Sequence, residues 1–346
     1  MYRTKINPLV IWLSALTLLL PLAACESEKN YSQQFLQFGT LIDITLASTT
    51  HKNSLEAFSA IEKLLIQRHS DWHGWEDGSL TRFNQALHDH PQQGIAVPHN
   101  LQRLIHDSKK YYRISGGLFN PALGKLIGAW GFHDHSDADR ELINLIKQDI
   151  PGMDDLLIRD QLAYCNNPYL QLDFGGIAKG LAIEEIQQLL ISRNIDNFII
   201  NAGGDIYAAG KTGDRNWRIA IQDPFKEDII ATVELPPAHS IFTSGNYRRF
   251  ANDPDHKKRH HIINPKTGEP SKSISSATVI SNDPVLADAA ATTLMLGNKN
   301  QVGQLAHALG IQQYMVITEQ GEAILSKAMY DALAWHEQDQ FKIQLQ

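Results

Sequence analysis

The chain has little cysteine: two residues in 346, Cys25 and Cys165. Cys25 closes an export-type leader, which leaves Cys165 alone. A disulfide inside the exported chain is thereby excluded, and so is a metal site built on thiolates. Any metal must be held by oxygen or histidine. Cationic runs are also missing. There are 31 basic and 38 acidic residues and a net charge of -7. With no basic block, a nucleic-acid partner is excluded. Residues 9–22 are apolar, but Ser14, Thr17 and Pro21 interrupt them. They are also shorter than the roughly 20 residues a spanning helix needs. The sequence shows no low-complexity tract, long linker or strict repeat. Helical and strand patterns are mixed without βαβ alternation, so the expected fold class is α+β rather than doubly wound.

What is present begins with that leader. Arg3 and Lys5 precede the apolar stretch, and Leu22-Ala23-Ala24-Cys25 follows it. This is the pattern of a bacterial lipoprotein signal over 1–24, cut so that Cys25 carries lipid. An uncleaved anchor is the alternative. The expected location is the periplasmic side of a bacterial membrane, the inner one preferred. Polar residues 25–33 read as a tether, and 34–346 as one domain.

Residues 35–47 read as a first strand with Gly39 as a bulge or a close approach. Residues 54–67 and 101–113 have helical spacing. Between them, 69–84 reads as a loop carrying Trp72, His73, Trp75 and Glu76, whose tryptophans either stack on a flat ligand ring or pack as a lid. Helices are expected at 123–130, 136–147 and 301–309, and short strands at 156–164 and 169–172. Further strands are expected at 197–200, 206–209, 217–221, 229–235, 240–243, 259–264 and 276–281. Residues 314–318 and 322–325 read as a hairpin. Asp283 and Pro284 open a helix as N-cap and first helical residue.

Three stretches carry candidate chemistry. The first is LDFGGIAKG at 172–180, read as strand, glycine turn and helix. Such a turn lets backbone approach a ligand, and a helix start favours phosphate; an ordinary tight connection has the same pattern. In the second, Asp288 and Thr292 stand four apart on one face of an alanine-rich helix. Carboxylate, hydroxyl and a nearby carbonyl form an oxygen set suited to Mg²⁺; a threonine bonding back to its own helix is the alternative. In the third, His260 and His261 are adjacent on a strand, so at most one points into a site. Either could act as a general base.

Taken together, FGT at 38–40, SLTRFN at 79–84, SGGLFNPALGKL at 115–126, LDFGGIAKG at 172–180, NAGGD at 201–205, TSGNYRR at 243–249, HHIINPKTG at 260–268 and LADAAATTL at 286–294 resemble the ApbE family of flavin transferases, in the family's order. The resemblance implies a single ApbE-like, T-fold-related α+β unit with mainly antiparallel sheet. It implies an FAD:protein FMN transferase that cleaves the FAD pyrophosphate with Mg²⁺ and transfers FMN to a Thr or Ser hydroxyl, releasing AMP. It implies metal ligation by Gly176 (through its carbonyl), Asp288 and Thr292, and His261 as base. FAD contacts are implied at Phe38, Asn120, Asp173, Lys179, Asn201, Gly203, Gly204, Asp205 and Tyr247. The implied partners are FAD and an acceptor flavoprotein, NqrC-like, RnfG-like or an exported FMN-binding domain. A periplasmic FAD pyrophosphatase and a non-catalytic flavin-binding lipoprotein are the alternatives. Asn120 and Asn264 stand where the family often has Asp, which puts a direct metal role for either in doubt.

Overall fold

Nine strands form one sheet whose spatial order follows the chain. They are Lys29–Gln37, Thr40–Thr49, Phe198–Ala202, Asp205–Ala209 and His239–Gly245, then Ile274–Ser281, Gln313–Thr318, Glu322–Leu325 and Lys342–Leu345. Every neighbouring pair is antiparallel except the last, where Glu322–Leu325 runs parallel to Lys342–Leu345. The α+β expectation therefore holds. The computed structural model describes residues 29–90, 93–133, 136–246, 250–252, 258–336 and 338–346. The leader and Cys25 lie outside these residues, and so does Tyr247.

Period-two alternation sorts the strand side chains onto two faces. Tyr207, Phe242, Val279 and Val316 turn to a helical layer. Their neighbours Ala208, Ile241, Ile280 and Met315 turn the other way. That second face is covered by a three-stranded sheet of Trp217–Gln222, Ile229–Leu235 and Leu333–Trp335. The helical layer is built on His51–Trp72, Ala178–Ser192 and Pro284–Leu296. A smaller core around Leu126, Trp130 and Ile146 lies under the loops before residue 170. No helix among the described residues is long and apolar enough to cross a membrane.

The Pro284 helix starts as its sequence predicts: Asp283 Oδ1 accepts from the Leu286 N–H at 2.9 Å. The Ala178–Ser192 helix comes close to its first turns at Gly180. A Cβ on Gly180 would lie 2.5 Å from the Pro284 carbonyl oxygen and 2.9 Å from Val285 Cα. Backbone cannot yield as a side chain can. Gly180→Ala is therefore expected to cost about 2–3 kcal/mol by overpacking, read as a shift of the denaturation midpoint.

Several expectations are corrected. The single strand at 35–47 is a hairpin, and Gly39 is not a bulge. Phe38 and Gly39 both take positive φ (55° and 67°) and form a two-residue turn between Gln37 and Thr40. That matches the primed turns that join twisted strands. Lys29 already pairs with Thr49, so the second half of the expected tether is strand. The expected 69–84 loop is mostly helix: His51–Trp72 runs through its start, and Ser79–Asp89 takes SLTRFN. Trp72 is 4% exposed in the core, which removes it as a ligand platform.

Candidate active site

The turn at 173–177 is held without a strand before it, contrary to the expectation for 169–172. Only an isolated bridge joins Gln171 to Leu123. The backbone is satisfied instead by Asn84, whose amide donates to the Leu172 carbonyl and accepts from the Leu172 N–H, both at 2.9 Å. The Asp173 N–H donates to the Pro121 carbonyl at 2.8 Å. Asp173 Oδ1 accepts from the Gly175 N–H at 2.7 Å, closing the turn on itself. Asn84→Ala is expected to cost about 3 kcal/mol by leaving two buried backbone groups unpaired, measurable by urea denaturation.

The helix start is not an open phosphate cradle. The amides of Ile177 and Ala178 bond the Phe174 carbonyl, and the Gly180 N–H donates to Asp288 Oδ2 at 2.9 Å. What the turn offers is proximity to the Pro284 helix. A Cβ on Gly176 would lie 3.2 Å from Thr292 Oγ1 and 3.3 Å from the Phe119 ring. Gly176 has no positive φ to explain it, so the missing side chain is a matter of space. Thr292 Oγ1 and Ser244 Oγ share a hydrogen bond of 3.3 Å.

One turn along, Asp288 is 3% exposed. Lys179 Nζ stands 3.6 Å from Asp288 Oδ1 and 3.1 Å from Asp205 Oδ2. Burial pushes the Asp288 carboxyl up to about 6. Lys179 pulls it back down, and Asp205 pushes it further up. Asp205 is anchored by the Thr243 N–H at 3.2 Å. Gly176, Lys179, Asp205, Ser244, Asp288 and Thr292 thus converge from five segments. The sequence named Gly176, Asp288 and Thr292 as metal ligands and Lys179 and Asp205 as FAD contacts. It missed Ser244, although Ser244 lies within TSGNYRR. Asn84 was also missed, although SLTRFN contains it.

The remaining predicted residues fall in several places. Gly203 and Gly204 are a two-residue hairpin turn with φ of 66° and 99°. Asn201 Oδ1 accepts from the Gly204 N–H at 2.8 Å. A Cβ on Gly203 would meet Thr40 Oγ1 at 2.2 Å, so glycine is required there. Phe38 packs edge-on to His69, and its N–H donates to His69 Nδ1 at 3.2 Å. Asn120 braces backbone at both ends of its amide, donating to the Pro151 carbonyl at 2.8 Å and accepting from the Ala122 N–H at 3.1 Å. Trp75 lies on His133, ring centroids 3.5 Å apart, and His133 Nε2 is 3.9 Å from Asp173 Oδ2.

The two adjacent histidines differ. His260 is 7% exposed. Its Nε2–H donates to the Ser271 carbonyl, and its Nδ1 accepts from the Ile262 N–H at 3.4 Å. Burial lowers its pKa. Both ring nitrogens have structural tasks, and only His261, half-buried, remains as a candidate base.

Among the described residues, His69, His73 and Glu76 bring ligand-type atoms within 4.8 Å of one another. Their hydrogen bonds oppose a metal. His69 Nδ1 accepts from Phe38, and His73 Nδ1 accepts from the Glu76 N–H at 2.9 Å. The proton in each neutral ring is then on Nε2, facing Glu76 at 3.9 and 3.8 Å. Ligation through Nε2 needs the opposite tautomer. This group caps a helix end.

Fold and cluster together define an α+β protein in which a buried carboxylate, two hydroxyls and a lysine gather where a glycine turn meets a helix. The chain belongs to the ApbE family, whose profile matches residues 38–315. It is 32% identical over 304 residues to an FAD:protein FMN transferase of Rhodobacter capsulatus, covering 87% of this chain and 58% of that one. A Vibrio cholerae FAD:protein FMN transferase is 29% identical over 318 residues, covering 88% and 93%. Among solved structures, an ApbE protein of Thermotoga maritima superposes with a TM-score of 0.79 at 25% identity, covering 88% of this chain and 99% of that one. The flavin transferase ApbE of Vibrio cholerae gives 0.77 at 25% identity, with the same coverage.

Proposed function

We propose that the chain is an FAD:protein FMN transferase. It cleaves the FAD pyrophosphate and joins FMN to a Thr or Ser hydroxyl of an acceptor flavoprotein, releasing AMP. The observation that carries this reading is the meeting of the glycine turn and its helix with the Pro284 helix, Gly176 against Thr292 and the Gly180 N–H on Asp288, across more than a hundred residues of sequence.

The donor set fits Mg²⁺. Asp288 is a buried carboxylate, Thr292 and Ser244 are hydroxyls, and a Cβ at Gly176 would crowd Thr292 Oγ1 at 3.2 Å. The Gly176 carbonyl, Asp288 and Thr292 would hold the ion. When bound, it supplies charge neutralisation for phosphoryl oxygens. The chain's own groups do the rest. His261 takes the proton from the acceptor hydroxyl as its oxygen bonds the FMN-side phosphorus. The bond from that phosphorus to the bridging oxygen breaks, and AMP leaves with the electron pair. Lys179, already paired with two carboxylates, keeps the cluster near neutral until the substrate phosphates arrive. The acceptor is an NqrC-like or RnfG-like subunit, or an exported FMN-binding domain. Lipid on Cys25 holds the enzyme at the periplasmic side of a membrane.

The test uses purified protein with FAD, Mg²⁺ and an acceptor domain, read by mass spectrometry and nucleotide analysis. Transfer gives acceptor carrying FMN and an equal amount of AMP. Free FMN and AMP without adduct make the chain a pyrophosphatase. Intact bound FAD makes it a binder only.

A further inference from the structure

Lys179 stands between two carboxylates. Its Nζ is 3.1 Å from Asp205 Oδ2 and 3.6 Å from Asp288 Oδ1. Both carboxylates are buried, Asp205 at 7% and Asp288 at 3% exposed. Together the three groups carry one negative charge. Buried charge is stable only when it is paired, and a further cation would balance this one.

Hydrogen bonds decide which oxygens face that cation. Asp288 Oδ2 accepts from the Gly180 N–H at 2.9 Å, and Asp205 Oδ1 accepts from the Thr243 N–H at 3.2 Å. Each carboxylate is fixed to backbone by one oxygen and turns the other to Lys179. Oδ1 of Asp288, the oxygen the backbone leaves, is therefore the one Lys179 approaches. An ion bound there and the ammonium would compete for the same atom. Lys179 need not leave the cluster to yield. Its neighbour Gly180 is packed on the Pro284 helix, which pins the backbone. Its Nζ rides on a flexible four-carbon stem, and Asp205 is already the nearer partner.

We infer that Lys179 is a resident stand-in for the divalent ion, and that Asp205 is the seat that receives its ammonium when the ion takes Asp288. The inference rests on the ion site proposed above. It makes Asp205 a positioning residue that acts through Lys179. With the ion in place the same three groups carry one positive charge, which suits a pyrophosphate.

Calorimetric titration with Mn²⁺ in the absence of FAD tests this, comparing wild type, Lys179→Met, Asp205→Asn and the double variant. The titrations are run below the melting midpoint of each protein in chelator. The asparagine keeps an oxygen for the Thr243 N–H. Lys179→Met removes the competitor and is expected to bind Mn²⁺ at least about tenfold more tightly. Asp205→Asn removes the seat and is expected to bind about tenfold more weakly, and most of that loss should vanish when Lys179 is also Met. Melting curves supply a second readout. Lys179→Met should lower the midpoint in chelator and recover it in saturating Mn²⁺, whereas a lysine that only packs would lower both alike. Affinity in Lys179→Met equal to or weaker than wild type overturns the stand-in. An Asp205→Asn loss of the same size in both backgrounds means that Asp205 acts on the ion directly, and overturns the seat. Wild-type protein that takes up no Mn²⁺ overturns the ion site itself, a result distinct from the other two.

Discussion

Asp288→Asn is expected to lower FMN transfer by at least about 10³-fold, the scale of a lost metal-based charge stabilisation. The side chain keeps its shape, and an amide oxygen can still accept from the Gly180 N–H, so the fold should survive. What disappears is the charge. In the metal-free protein that charge is a burden, because burial raises the Asp288 pKa to about 6 from 3.8. The sign follows from linkage. Between the two values the folded state binds more protons than the unfolded one, so stability from this group falls as pH rises from about 4 to about 6. Denaturation in chelator should show wild-type protein losing stability across that window, with the loss reduced in Asp288→Asn. Near-normal turnover in the variant would move the metal elsewhere.

His261→Ala is expected to lower transfer by roughly 10²–10⁴-fold, the usual worth of a positioned general base. FAD affinity should be unchanged, because the missing group acts on the acceptor hydroxyl. The pH profile should lose its base limb. His260→Ala is the informative control. His260 spends both ring nitrogens on backbone, so its loss should lower the melting temperature more than it lowers activity per folded molecule. Full activity in His261→Ala would place the base on another residue.

The helices that shape the site were legible because their signals are local. Asp283 and Pro284 mark one start, and the apolar spacing after Gly176 marks another. The motifs also supplied Gly176, Asp288 and Thr292; the structure sets Gly176 against Thr292 and the Gly180 N–H on Asp288. Three things were hidden. The pattern from residue 35 to 47 reads as one strand although it contains a hairpin turn whose first residue is Phe38, a residue type that rarely takes positive φ. The apolar run 169–172 looks like a strand because its polar partner, Asn84, lies 88 residues away. Asp205 reads as part of a glycine turn, and its pairing with Lys179 appears only when strand and helix are packed. Local pattern reports local structure; the charge cluster is a product of packing.

The central claim is that one divalent ion joins the glycine turn to the Pro284 helix. Anomalous diffraction from crystals soaked in Mn²⁺, which has the same preference for oxygen ligands, tests it most directly. The account predicts a peak within coordination distance of the Gly176 carbonyl, Asp288 and Thr292. A peak at His69, His73 and Glu76 instead, or none at Asp288 at saturating Mn²⁺, would contradict it.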